Sequence, residues 1–282
     1  AAWSDHDADG DLDLIIVGEW SSPVFMKNEG GKLSKGMNLP DLKGLWRTVV
    51  SADLNGDGRA DFILGNVGSN IKFHASVKDP LLMYTGDMDG DKDRDIALAF
   101  KQGTYYHPDR SLTFLKAQFP SFDLKFPYYA DFTGKSLEQI FGDALNTAKK
   151  HEVTELRSMI LISTASGYDA LPLPVQAQVS SINSILVKDL DGDGEEDFIL
   201  AGNELYMPIQ LGSLDAGAGL VLMNKGKGVL EPLSTRANGA FLPGWVKDME
   251  FIQVQGVLYL IASRNDERPI FLKLNSSLST IP

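Results

Sequence analysis

Four nine-residue segments carry an oxygen-bearing side chain at positions 1, 3, 5 and 9: DHDADGDLD (Asp5 to Asp13), DLNGDGRAD (Asp53 to Asp61), DMDGDKDRD (Asp87 to Asp95) and DLDGDGEED (Asp189 to Asp197). They hold half of the chain's 38 acidic residues. Carboxylates packed this closely repel one another, so an ordered loop calls for a neutralising cation. Gly10, Gly58 and Gly194 at position 6 permit the tight turn that carries the next carbonyl inward, as in the first half of an EF-hand loop. The donor set predicted for the first two loops is Asp5, Asp7, Asp9 and Asp13, then Asp53, Asn55, Asp57 and Asp61. For the other two it is Asp87, Asp89, Asp91 and Asp95, then Asp189, Asp191, Asp193 and Asp197. The backbone carbonyls of Asp11, Arg59, Asp93 and Glu195 at position 7 complete the sites. Hard oxygens without histidine or cysteine select calcium over zinc or copper, and magnesium would demand a stricter cage. The expectation is up to four Ca2+ ions, with the third loop the weakest because Lys92 replaces the glycine. One such segment is ordinary Asp-Gly turn chemistry. Four copies, each followed by an apolar strand, are not.

The sequence around the loops repeats as well. LDLIIVG (Leu12 to Gly18), DFILGNV (Asp61 to Val67), DIALAF (Asp95 to Phe100) and DFILAGN (Asp197 to Asn203) follow the loops, and apolar stretches such as INSILVKDL (Ile182 to Leu190) precede them. PVFMKNEGG (Pro23 to Gly31) and GLVLMNKGKG (Gly219 to Gly228) read as further strands ending in turns. Loop starts lie 48, 34 and 102 residues apart, and a period of about 40–50 with about four strands per unit is that of a propeller blade. The long third interval contains an S-x-x-Q capping box at Ser136 to Gln139. Beyond it, Leu137, Ile140, Phe141, Ala144, Leu145 and Ala148 fall at helical spacing, with Lys149, Lys150 and His151 where a helix would end. Residues 109–157 therefore read as a helical insertion within one blade, and Ser158 to Ser163 resumes the sheet. Trp245 to Leu274 forms a last unit of three strands without a loop. The fold class predicted is all-β, with about five four-stranded β-propeller blades.

These loops and strands resemble the FG-GAP/VCBS-repeat propellers, whose blades also occur in integrin α subunits. IIVGEW (Ile15 to Trp20), ILGNVGSN (Ile63 to Asn70), the LP-x-x-x-Q run Leu173 to Gln178 and ASRND (Ala262 to Asp266) look like the long FG-GAP proteins of Bacteroidota. The resemblance spans nearly the whole chain and implies an exported or outer-membrane surface protein of a bacterium. It implies seven or eight blades in a longer protein, of which residues 1–282 would be a C-terminal part. Only Ala1 to Ser4 precede the first loop, so the chain is expected to form an open arc, or to complete its ring with a segment it lacks.

A formal net charge of −12 disfavours nucleic acid as a partner. No apolar run is long enough to span a membrane, and the absence of cysteine excludes disulfides and thiolate metal sites. The opening Ala1-Ala2-Trp3, without an initiator methionine, suggests a processed or partial chain. No G-x-S-x-G or H-E-x-x-H motif is present, and His6, His74, His107 and His151 are scattered. His6 is expected to face solvent within its loop, and Glu152 and Glu155 to lie on a solvated helix face. The expected function is a non-catalytic, calcium-binding module that binds a protein or glycan, alone or within a surface assembly. Trp20, Tyr105, Tyr106, Tyr128, Tyr129 and Tyr206 are the aromatics available to a glycan. The alternative is a carbohydrate-active lyase or hydrolase carried on the propeller, with His107 its one catalytic candidate.

Overall fold

A computed structural model describes residues 1–39, 41–207, 212–233 and 239–274. The expected polar tail Asn275 to Thr280 lies outside these residues. The chain divides into two compact units: Ala1–Pro40 with Gly44–Lys72 and Leu156–Pro282, and Asp41–Lys43 with Phe73–Glu155.

In the first unit, β1 (Ala2–Ser4), β2 (Asp13–Ile16), β4 (Val24–Glu29) and β5 (Lys32–Asn38) form an antiparallel sheet in that order. A short ribbon pairs β3 (Glu19–Ser21) with β6 (Gly44–Leu45). The second sheet uses β7 (Thr48–Ala52) and β8 (Asp61–Gly65), and its remaining strands come from much later in the chain. The acidic segments at Asp5, Asp53 and Asp189 each join the first two strands of a sheet. The register is the same each time: the position-9 aspartate pairs with the residue preceding position 1, as Ser4↔Asp13 and Ala52↔Asp61.

The second unit begins with β9 (Leu81–Gly86), β10 (Asp95–Gln102) and β11 (Tyr105–Pro108). Five short helices follow: α1 (Leu112–Gln118), α2 (Phe122–Lys125), α3 (Tyr129–Phe132), α4 (Leu137–Phe141) and α5 (Ala144–Thr147). β12 (Lys149–Val153) then pairs with β9, giving the order β11-β10-β9-β12. Leu82, Ala97 and Ala99 of the sheet pack with Leu112, Leu115, Phe119, Phe122 and Ile140 of the helices. The helices thus cover one sheet face. The Ser136 capping box forms, with the Gln139 N–H donating to Ser136 Oγ at 3.3 Å and the Ser136 N–H to Gln139 Oε1 at 2.8 Å.

Three sequence expectations fail here. The helix predicted beyond Ser136 is two helices, because Gly142 adopts φ +55° between them. Lys149, Lys150 and His151 open a strand instead of closing a helix. Glu152 lies on that strand, paired with Lys43 and Lys150, and Glu155 is buried. The third acidic segment also departs from the blade pattern. Elsewhere the strand entering the segment is a sheet edge, whereas β9 is internal and flanked by β12.

The chain then returns to the first unit. β13 (Met159–Thr164) pairs with β8 and β14 (Gly167–Pro172) with β13, completing the second sheet as β7-β8-β13-β14. Ser158 to Ser163 therefore resumes the sheet of loop two, whereas β12, directly after the helices, joins that of loop three. The LP-x-x-x-Q run follows with a 3-10 turn at Val175–Gln178. Gln178 is buried there and exchanges two hydrogen bonds with the Ser158 backbone, at 2.8 and 2.9 Å. β15 (Ile182–Lys188), β16 (Asp197–Gly202), β17 (Leu220–Asn224) and β18 (Leu230–Leu233) make the next sheet, with Lys188↔Asp197 in the shared register. β19 (Val246–Val254), β20 (Val257–Arg264) and β21 (Ile270–Lys273) make a three-stranded one, as the last unit's pattern predicts.

Strand periodicity explains how these sheets pack. β16 is buried along its whole length, so it reads as an unbroken apolar run instead of an alternating one. Phe198 and Leu200 face a core shared with Ile63, Ile160 and Ile182. Ile199 and Ala201, on the opposite face, join Val246, Met249 and Leu260. Between the first and second sheets, Phe25 stacks on Tyr168 at 5.0 Å and meets Phe62 edge-on at 5.6 Å. This is the packing of successive propeller blades.

Candidate metal centres

Each acidic segment is organised by its own backbone before any ion is considered. The position-1 carboxylate accepts N–H groups donated from across the turn. Asp53 receives those of Gly56 at 2.8 Å and Gly58 at 2.9 Å, and Asp189 those of Gly192 at 2.7 Å and Gly194 at 3.2 Å. Asp5 receives Asp9 and Gly10, and Asp87 receives Gly90 and Lys92. The position-5 carboxylates (Asp9, Asp57, Asp91, Asp193) accept through Oδ1 from the N–H of Asp11, Arg59, Asp93 and Glu195, at 2.7–3.0 Å. At position 3, Asn55, Asp89 and Asp191 accept the position-5 N–H through Oδ1. Asp5, Asp7 and Asp13 offer oxygens within 4.8 Å of one another, as do Asp87, Asp89 and Asp95, and Asp189, Asp191 and Asp197. In the second loop Asn55 stands where the others have an acid, so its amide oxygen replaces a carboxylate. Lys92 at φ +77° takes the conformation that glycine supplies elsewhere, so the third loop keeps its path despite the substitution.

The position-9 aspartates differ from the rest. Asp13, Asp61, Asp95 and Asp197 are buried, and each accepts through Oδ2 from the position-2 N–H of His6, Leu54, Met88 or Leu190. The other oxygen accepts from the third strand of the same sheet: Asn28 N–H at 2.7 Å for Asp13, Ser163 at 2.6 Å for Asp61 and Asn224 at 2.9 Å for Asp197. In the third loop this donor is a side chain, Gln118 Nε2 of α1 at 3.2 Å from Asp95. The sequence contains Asn28, Ser163, Asn224 and Gln118 without marking them. Asn-Glu-Gly and Asn-Lys-Gly were legible only as turns, and Ser163 lies 102 residues from its partner.

Protonation follows from these contacts. Burial pushes Asp61 and Asp197 above the ordinary carboxylate range. Partial desolvation within the loop, and then the charges of Asp91, Asp95 and Asp87, do the same to the otherwise exposed Asp89. Asp9 is held low by the Asp11 N–H and then by Lys27, and Asp57 by the Arg59 N–H. A raised pKa in a buried acid marks an anion whose charge is expensive without a cation beside it. The carboxylate-rich, all-oxygen donor set fits a hard divalent ion.

His6 does not face solvent as its position suggested. Its side chain is buried, edge-on to Phe25 at 5.2 Å, with Nε2 3.6 Å from Asp13 Oδ2. His107 places Nδ1 2.9 Å from the Lys135 carbonyl oxygen, and His151 Nε2 lies 3.2 Å from Thr85 Oγ1. Tyr105, Tyr128, Tyr129 and Tyr206 are exposed, while Tyr106 packs against the helical core. Among the described residues, no helix is long and apolar enough to cross a membrane.

Blade-like antiparallel sheets whose first hairpin carries an acidic loop define a repeat protein of β-propeller type. Residues 5–64, which contain the first two loops, β2 to β7 and most of β8, match the family model described as FG-GAP-like repeat. No curated protein matches the chain.

Proposed function

We propose that the chain is a calcium-binding FG-GAP module that presents a rigid surface to a protein or glycan outside the cell, at the surface of a bacterium. The observation that carries the reading is the convergence of three carboxylates within 4.8 Å in each of three loops, where the backbone already holds most of these acids in place. When bound, calcium would neutralise these carboxylates. Asp5, Asp7, Asp9 and Asp13, with their counterparts in the other loops, would hold it, and the position-9 aspartate would transmit its grip to the third strand. Extracellular calcium modules work at Kd values of about 10⁻⁴–10⁻³ M. Sites of that strength would fill outside a cell and stay empty in the cytoplasm.

A scaffold suits the chemistry better than a catalyst. The acids are engaged in holding the loops, and His107, the one catalytic candidate, is directed at a backbone carbonyl. Isothermal titration with calcium and a thermal melt in chelator test the proposal together. An ion that binds only the folded state adds about 2.7 kcal/mol per site at a hundredfold excess over Kd. The melting temperature should therefore fall in chelator and recover on adding calcium. An unchanged melt with no heat of binding would end the calcium reading.

A further inference from the structure

The four loops differ in what surrounds the carboxylate oxygens that the backbone leaves free. In the first loop Asp9 accepts the Asp11 N–H through Oδ1, which leaves Oδ2 the oxygen without a backbone donor. Lys27, on β4, places its ammonium 3.2 Å from that Oδ2 and 2.8 Å from Asp7 Oδ2. The lysine thus bridges positions 3 and 5, where an ion would otherwise find two negative oxygens.

The other loops lack this bridge. In the second, Arg59 reaches Asp57 Oδ2 at 3.1 Å, but from within the loop itself and to one carboxylate only. In the fourth, Lys225 stands 3.7 Å from Asp191 alone. Among the described residues, no lysine or arginine pairs with the third loop's aspartates.

We propose that Lys27 is a built-in competitor for the first loop, making it the last of the four to take up metal. The inference rests on the calcium reading above and concerns how one of those sites is regulated. Entry of a divalent ion requires the ammonium to swing out into solvent, a movement open to it because its side chain is partly exposed. Removing a metal returns the lysine to the carboxylates, so the loop keeps a cation in either condition. The first blade would then hold its shape when calcium is scarce, while the third loop, whose aspartates pair with no lysine or arginine among the described residues, would depend on metal most.

The experiment is calcium titration by calorimetry of the full chain, its Lys27→Met and Lys27→Gln variants, and each of these combined with Asp5→Asn. Breaking two exposed ion pairs sets the expected effect at about tenfold. Wild type should show a weakest site that becomes about tenfold tighter in both single variants. That gain should vanish once Asp5→Asn removes the first loop as a site. Isotherms identical in wild type and the Lys27 variants, with calcium binding intact, would overturn the role of Lys27 alone. So would a gain that survives Asp5→Asn. Absence of calcium heat in every protein would overturn the calcium reading and this inference with it.

Discussion

Replacing Asp61 by alanine should damage the protein even when no metal is present. The Asp61 side chain is buried, with Oδ2 accepting the Leu54 N–H at 2.9 Å and Oδ1 the Ser163 N–H at 2.6 Å. Alanine leaves both donors buried and unpaired, and an unsatisfied buried donor costs about 1–3 kcal/mol. The loss should therefore be about 2–6 kcal/mol, reduced somewhat because the carboxylate's own desolvation cost disappears with it. Urea unfolding followed by circular dichroism, in chelator, measures this without any contribution from calcium. Asp57→Ala is the control, since Asp57 is exposed and, apart from a long 3.4 Å bond from Ser163 Oγ, bonds within its own turn. It should be near neutral in chelator and destabilising only when calcium is added. If Asp61→Ala unfolds within about 0.5 kcal/mol of wild type in chelator, the position-9 aspartates are not the fasteners the geometry makes them.

Two further outcomes follow from the core between the first and second sheets. Phe25→Ala removes a ring in contact with Phe62, Tyr168 and His6, and should cost about 3–5 kcal/mol by denaturant unfolding. Tyr168 is held well above its ordinary pKa of 10.0 by burial and then by the charge of Asp61. The folded state therefore keeps this proton more tightly than the unfolded chain. Its stability contribution is complete below about pH 10 and drains away as pH rises toward the folded value. Tyr168→Phe loses the hydrogen bond to the Ala60 carbonyl, worth about 1 kcal/mol at neutral pH. It should nevertheless melt with a shallower alkaline decline than wild type between pH 9.5 and 11, and parallel declines would refute the assignment.

Much of the architecture was readable because it is local. The acidic segments fix a hairpin, and the strands after the second and fourth are unbroken apolar runs because both their faces are covered, as at Phe198 to Ala201. The three strands of the last sheet and the Ser136 cap are equally local. What escaped was set by partners distant in sequence. Lys149 to His151 have the charge of a helix end, yet pairing with β9 makes them a strand. His6 is flanked by aspartates, but a ring contact with Phe25 draws it inward. Nothing in the spacing of Lys27 from Asp7 marks it as that acid's counter-ion, because the strand pairing of β2 with β4 brings the two together.

The same contrast explains how the second sheet tolerates its interruption. Gly65 and Met159 end and begin adjacent strands, yet 93 residues lie between them, against 7 between Ile16 and Val24 in the first sheet. Were the connection structureless, closing it would cost only about 2 kcal/mol more, since loop entropy grows with the logarithm of length. In fact most of it, Phe73–Glu155, forms a compact unit with its own core, so the effective loop is far shorter. Its two ends are also fastened: the Gly68 N–H donates to the Leu156 carbonyl at 2.8 Å, and Asn66 is bonded to Ser158 and Arg157. Deleting residues 73–155 and bridging Lys72 to Leu156 with a short Gly-Ser linker should therefore leave β8 paired with β13. The shortened protein is expected to melt cooperatively and to bind one calcium fewer than the full chain. Loss of a cooperative transition would mean that the second unit is needed to hold the second sheet together, and that the ends are not fastened as tightly as these hydrogen bonds require.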